Sequence, residues 1–171
     1  MTLDPSVLPS LERLRTYMYR HYPAREKVDP FPLAFWKIED DDIFFEALGY
    51  LPLMMEEVHD EGLDHLPEGF RLAYPVFWLE DDYQFNGWTA LTNAGEDLLL
   101  LAIGAYERIG LATEANALRA ALASVIADPS NDEAAGDAYQ SVENPYADED
   151  TRWEALLRFF RANTRLFEGA T

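Results

Sequence analysis

Helical periodicity runs through almost the whole sequence and constrains the fold more than any other feature. Apolar residues recur every three or four positions, and no run of alternating apolar and polar residues competes seriously as strand. In "SVLPSLERLRTYMYRHY" the stripe Leu8, Leu11, Leu14 and Met18 predicts a first helix ending near Pro23, followed by a proline-rich connector, "DPFPLAFW", whose aromatics pack on the body. "EDDDIFFEALGYLPLMMEEVHDEG" opens with acids suited to an N-cap and to the positive end of a helix dipole, and Gly49 with Pro52 suggests a kink or two shorter helices. "PEGFRLAYPVFWLEDDY" reads as a helix disturbed by Pro75, with a short strand as the alternative. "GEDLLLLAIGAYERIGL" is a buried helix closed by Gly110. "TEANALRAALASVIADP" is amphipathic, with Thr113 in the capping position and Asp128-Pro129 as its stop. "SNDEAAGDAYQSVENPY" is partly helical. In "DTRWEALLRFFRANTRLF" Thr151 and Glu154 have capping-box spacing, with Trp153, Leu156, Leu157, Phe160 and Phe167 facing inward and Arg158, Arg161 and Arg165 outward. The expectation is an all-α, single compact domain of about seven helices, with residues 1–37 as N-terminal helix and connector and 38–171 as the body.

A chain of 171 residues can bury roughly 70% of its unfolded surface as one domain. It has no cysteine, which excludes disulfides, thiolate metal sites and cysteine nucleophiles together. No basic-then-apolar leader opens the sequence, and no apolar run reaches the roughly 20 residues that span a bilayer. A soluble, cytoplasmic protein without membrane contact is expected.

Charge is unevenly distributed. Thirteen basic side chains face 32 acidic ones, a net of −19. Residues 1–37 carry a net of +2, residues 38–107 hold 17 acids against the single base Arg71, and residues 108–171 carry −5. Such a field repels nucleic acid and attracts basic protein surfaces. The candidate binding face is therefore Asp40, Asp41, Asp42, Glu56, Glu57, Asp60, Glu61, Asp64, Glu80, Asp81 and Asp82, with Phe44, Tyr50, Tyr83 and Phe85 as apolar anchors where exposed.

Signals for chemistry are weak. Glu56 and His59 have the Glu-x-x-His spacing of di-iron bundles, but His21 and His65 are preceded three positions earlier by Met18 and Gly62, so no second motif exists. Asp60, Glu61, Asp64 and His65 then read as a solvated helix end. The acids of residues 39–42 lack the glycine and distal glutamate of a calcium loop. Pairs such as Glu56 with Asp60 or Glu57 with Glu61 match a glycosidase pair, yet any acidic helix offers them. No nucleophile elbow, phosphate loop or dinucleotide fingerprint is present. No metal, cofactor or catalytic residue is assigned, and the chain reads as non-enzymatic.

The passage "DDYQFNGWTALTNAGED" breaks the helical pattern twice. Asn86 and Gly87 can take left-handed backbone angles and reverse the chain, Trp88 pins the turn to the core, and Asn93 with Gly95 closes a short helix. Gly104, inside the apolar helix that follows, marks a close approach by another helix. Taken together, Asp82, Asn86, Gly87, Trp88, Asn93, Gly95, Ile103, Gly104 and Ala105 resemble the motif of the bacterial DNA-mimic-protein family, an all-helical domain with an acid, an Asn-Gly-Gly-Phe run, an Asn and Gly, and an Ile-Gly-Ala helix. One glycine of the pair is absent here and tryptophan stands for phenylalanine. "WEALLRFFRANTRLF" is similar to the family's last helix.

The resemblance implies a binding protein that shows carboxylates in place of phosphates to a basic DNA-binding regulator, without binding nucleic acid itself, and it implies a homodimer. About eight carboxylates on one face would match about 14 Å of duplex, so the acid supply suffices. The alternatives are an immunity or antitoxin protein blocking a basic toxin, an enzyme or ligand-binding domain with a pocket near Asn86 and Trp88, and a soluble helical domain with no acidic face.

Overall fold

Seven α-helices and four short 3-10 turns, with no strand, make up the described residues of a computed structural model, which are 3–21, 31–55 and 62–168. The helices are α1 (Leu8–His21), α2 (Asp41–Met54), α3 (Glu68–Asn86), α4 (Thr89–Ile109), α5 (Ala112–Ala127), α6 (Asp132–Gln140) and α7 (Glu149–Ala162). The protein is all-α, as the periodicity predicts. Contacts divide the chain into two compact units, Met1–Phe77 with Phe159–Thr171, and Trp78–Arg158. Both divisions fall inside helices, α3 and α7.

The first unit is organised around aromatic rings. Phe31, Phe35 and Trp36 of the connector are buried, as expected of that segment. Phe167 meets Trp36 in a stack at 5.4 Å between centroids and Phe70 edge-on at 5.2 Å. Glycine is required beside it, because a Cβ at Gly69 would lie 2.8 Å from the Phe167 ring. On α1 the stripe Leu11, Leu14 and Met18 is buried.

Helix α2 begins where the acids predict, with the Asp40 side chain accepting from the Ile43 N–H at 3.1 Å. Arg13 donates from Nη2 to the Met54 carbonyl at 2.7 Å, closing the other end. No interruption occurs at Gly49, and Pro52 sits in the last turn, two residues before the helix ends at Met54. Pro75 lies inside α3 without ending it. A helix-interior proline costs about 3 kcal/mol, and burial of Phe70, Ala73, Tyr74, Val76, Phe77 and Leu79 around it offsets that.

In the second unit α5 packs against both α4 and α6, with Ala115, Ala117 and Ala121 fully buried so that the backbones come close. Gly110 ends α4 at φ 97°, and the Leu111 N–H returns to the Tyr106 carbonyl at 2.8 Å, a Schellman closure. Helix α5 stops at Ala127 before Asp128-Pro129, as expected.

Two expected caps are wrong. Thr113 lies within α5, whose N-cap is Leu111, and its hydroxyl has no hydrogen-bond partner. Helix α7 starts before Thr151, and Asp148 does the capping, accepting from the Thr151 N–H at 2.9 Å. In each case a residue two or three positions upstream of the threonine stands at the N-cap, so the helix begins before the threonine.

Candidate acidic face and the α3–α4 corner

The α3–α4 corner lies wholly in the second unit and is built by backbone breaks. Helix α3 ends at Asn86, Gly87 takes φ 56°, and Gly95 (φ 64°, ψ −175°) separates a short first segment of α4 from its long one. Only glycine holds such angles cheaply. Asp82 ties the three pieces, accepting from Nδ2 of Asn86 and, at 2.9 Å, from Nδ2 of Asn93. The motif's acid and its two asparagines are thus one clasp. Thr89 donates its hydroxyl to Asp132 Oδ2 at 2.7 Å, which attaches the start of α6 and lowers the Asp132 carboxyl below its ordinary value.

Trp88 lies against the rings of Tyr139 and Tyr83, at 5.1 and 5.9 Å between centroids. A Cβ on Gly136 would come within 2.6 Å of the indole, so α6 carries glycine there. The tryptophan pins the corner as expected. Phe85, by contrast, points outward at 78% exposure. Asp81 stands one turn before it, its carboxyl raised by partial burial and by the neighbouring Asp82.

The eleven acids proposed for a binding face do not share one environment. Glu56, Glu57, Asp60 and Glu61 lie outside the described residues, as does His59. In the first unit Asp42 and Asp64 are exposed, Asp40 caps α2, and Asp41 is paired with Arg161 at 2.5 Å. Arg161 itself, expected to face outward, lies 4.0 Å over the Phe44 ring and donates to the Asp40 carbonyl at 3.0 Å. In the second unit Asp81 is exposed and Asp82 is engaged in its clasp. Glu80 must be removed from the face, for it is 3% exposed. Of the suggested anchors Phe44 is fully buried, Tyr50 and Tyr83 are half-buried, and Phe85 is exposed. Gly104 also needs correction: it is exposed, and among the described residues no atom lies within 4 Å of where its Cβ would be.

Glu80 belongs instead to a buried polar network. Arg152 grips it in a fork, Nε to Oε1 at 2.5 Å and Nη2 to Oε2 at 2.9 Å. Tyr106 donates to Oε1 and Trp153 Nε1 to Oε2 at 2.8 Å, while Arg152 Nη1 reaches the Tyr146 carbonyl at 2.7 Å. Beside them Glu114 is fully buried and accepts from Tyr139 at 2.7 Å and Asn144 at 2.6 Å on Oε2 alone. Its Oε1 and the Tyr83 hydroxyl have no partner.

Burial raises the Glu114 carboxyl against the opposing pull of Arg152, and burial raises the phenols of Tyr83, Tyr106 and Tyr139. Burial opposes the Arg152 charge too, but Glu80 outweighs it and holds the guanidinium above its ordinary value. These groups join α3, α4, α5, α6 and α7 in one closed interior, and their chemistry is that of a structural network. Sequence reading missed it, although a signal existed: Arg152 stands four residues before Leu156 and eight before Phe160, so a charge occupies the buried stripe of α7.

Among the described residues no group of three histidine or acidic side chains could hold a metal ion, and no helix is long and apolar enough to cross a membrane. Comparison with curated proteins and with solved structures gives no match. The sequence model of the DMP19-like protein family, DMP standing for DNA mimic protein, matches residues 64–168, a span that contains the α3–α4 corner and all of the second unit. Covering more than half of the sequence, that match places the chain in the DMP19-like family.

Proposed function

We propose that the protein is a non-enzymatic, acidic binding domain of the cytoplasm that engages a basic DNA-binding protein by offering carboxylates where DNA would offer phosphates. Family membership supports the mimicry. The observation that carries the reading to a place on the molecule is Phe85, an aromatic ring 78% exposed one turn from Asp81, on a unit with a large acidic excess. Residues 78–158 hold 16 acidic side chains against four basic ones, a net of −12. Leaving aside buried Glu80 and Glu114, the remaining 14 equal the charge of about 24 Å of duplex. Carboxylates alone attract any cation and speed encounter. An aromatic face beside them stacks with a guanidinium and adds the discrimination that bare charge lacks.

The test is competition. The immobilised chain should retain a basic protein from its host at low salt and release it as salt rises, and the purified chain should displace that protein from duplex DNA. Retention that does not change between low and physiological salt, or a partner whose DNA complex is untouched, would refute mimicry. Rescue of growth from a co-expressed toxin would favour the immunity-protein alternative.

A further inference from the structure

Of the six asparagines in the sequence only Asn86 precedes a glycine. An Asn-Gly peptide carries its own reagent, because the glycine nitrogen has no side chain beside it to hinder attack on the amide before it. Both residues are exposed at the α3–α4 corner, so water reaches them. The folded chain opposes the reaction twice. The Gly87 N–H donates to the Tyr83 carbonyl at 3.0 Å, which commits that nitrogen to the last turn of α3. Nδ2 of Asn86 donates to Asp82, four residues back, which draws the amide over the preceding turn and away from residue 87. Asp82 is itself steadied by Nδ2 of Asn93 at 2.9 Å.

We propose that Asn86 is a modification site, open to deamidation by its own neighbour, and that Asp82 is the lock that sets its rate. In the reaction the Gly87 nitrogen bonds to Cγ of Asn86 as the Cγ–Nδ2 bond breaks. The Gly87 amide proton leaves with Nδ2 as ammonia, and a cyclic imide remains. One water then opens the ring, giving aspartate where the new bond to Cγ is cut and isoaspartate where the original peptide bond is cut. No electrons are exchanged, and water is the co-reactant. Either product replaces the donor that Asp82 holds with a carboxylate, so two like charges stand one helical turn apart and repel. The clasp that ties α3 to the first segment of α4 is then lost on the Asn86 side, next to Phe85. This chemistry goes beyond the binding proposed above and is the same whether or not the corner meets a DNA-binding protein.

Incubation of the full chain at mildly alkaline pH, followed by peptide mapping with mass spectrometry, reads the aspartate and isoaspartate fractions at residue 86. The expected result is slow conversion in the folded chain and much faster conversion in urea, with residue 86 the fastest of the asparagines there. Asp82→Ala, shown to be folded by circular dichroism, should convert about tenfold faster than the wild type, since releasing the amide from a charged acceptor changes its free population by about that factor. Asp82→Asn keeps the shape and one acceptor oxygen, so its rate should fall between the two, and it carries the comparison where the alanine variant does not fold. Asn86→Gln should silence the site, because glutamine would have to close a larger ring. Equal rates in the wild type and the folded Asp82 variants overturn the lock. A folded chain that converts as fast as the chain in urea overturns it too, and an absence of conversion at residue 86 even in urea overturns the site.

Discussion

Glu80 and Glu114 are both interior carboxylates, and they meet the cost of burial differently. Glu80 is held by the Arg152 fork, Tyr106 and Trp153. Breaking a buried pair strands the surviving charge, so Arg152→Met should destabilise by about 3–5 kcal/mol, a fall of roughly 10 °C in melting temperature for a chain of this size. Glu80→Met/Arg152→Met together should cost less than Arg152→Met alone, since neither charge is left unpaired. Among the described residues Glu114 has no cation in direct contact, and burial raises its carboxyl above the ordinary 4.5. The folded protein therefore holds a proton that the unfolded chain has already lost. Glu114's contribution is full below that ordinary value and is lost as pH rises through the folded one. Glu114→Gln copies the neutral acid, keeping an oxygen for Tyr139 and Asn144. Its melting temperature should fall less than the wild type's between about pH 5 and pH 8, and thermal melts across that range would show it.

At the scale of elements, what could be read in the sequence was local and what could not was distant. The break at Asn86-Gly87, the kink at Gly95 and the stop at Gly110 depend on φ values of 56°, 64° and 97° that few residues adopt, so the residue type announces the geometry. Gly136 takes no such angle, and its reason lies 48 positions away in the Trp88 indole, invisible until the fold brings α6 to the corner. The same distance hid Arg152, 72 residues from Glu80, and turned Glu80 from a supposed surface acid into an interior one. Gly104 was misread for the converse reason, since an apolar window implied a neighbour that no described residue supplies. The dependence of Gly136 on Trp88 is measurable. Gly136→Ala should push the indole outward and cost about 1–3 kcal/mol, with tryptophan fluorescence shifting to the red. Adding Trp88→Ala should recover part of that loss, because the two residues share one contact. Strictly additive losses in a double-mutant cycle would show that the close approach does not bind the corner together.

At the scale of the whole molecule, charge counted along the chain and charge counted in space give different pictures. The densest acidic segment of the sequence is 38–107, yet the second unit, with its net of −12, runs from 78 to 158, because the first turns of α6 and α7 add Asp132, Glu133, Glu149 and Asp150 to it. A partner drawn by that field should feel two separable contributions, a long-range attraction that salt screens and a short-range contact that it does not. Phe85 belongs to the second and exposed carboxylates such as Asp81 and Glu133 to the first. In a titration of partner affinity against salt, Phe85→Ala should lower the line by about tenfold or more at every salt concentration, as loss of an aromatic anchor does, without changing its slope. Asp81→Asn/Glu133→Gln should flatten the slope, with most of its effect at low salt and little at high salt, since removing carboxylates removes cations released on binding. If both variants move only the slope, the aromatic is a bystander and the surface is a simple polyanion. If neither variant moves the line, the partner meets the protein elsewhere.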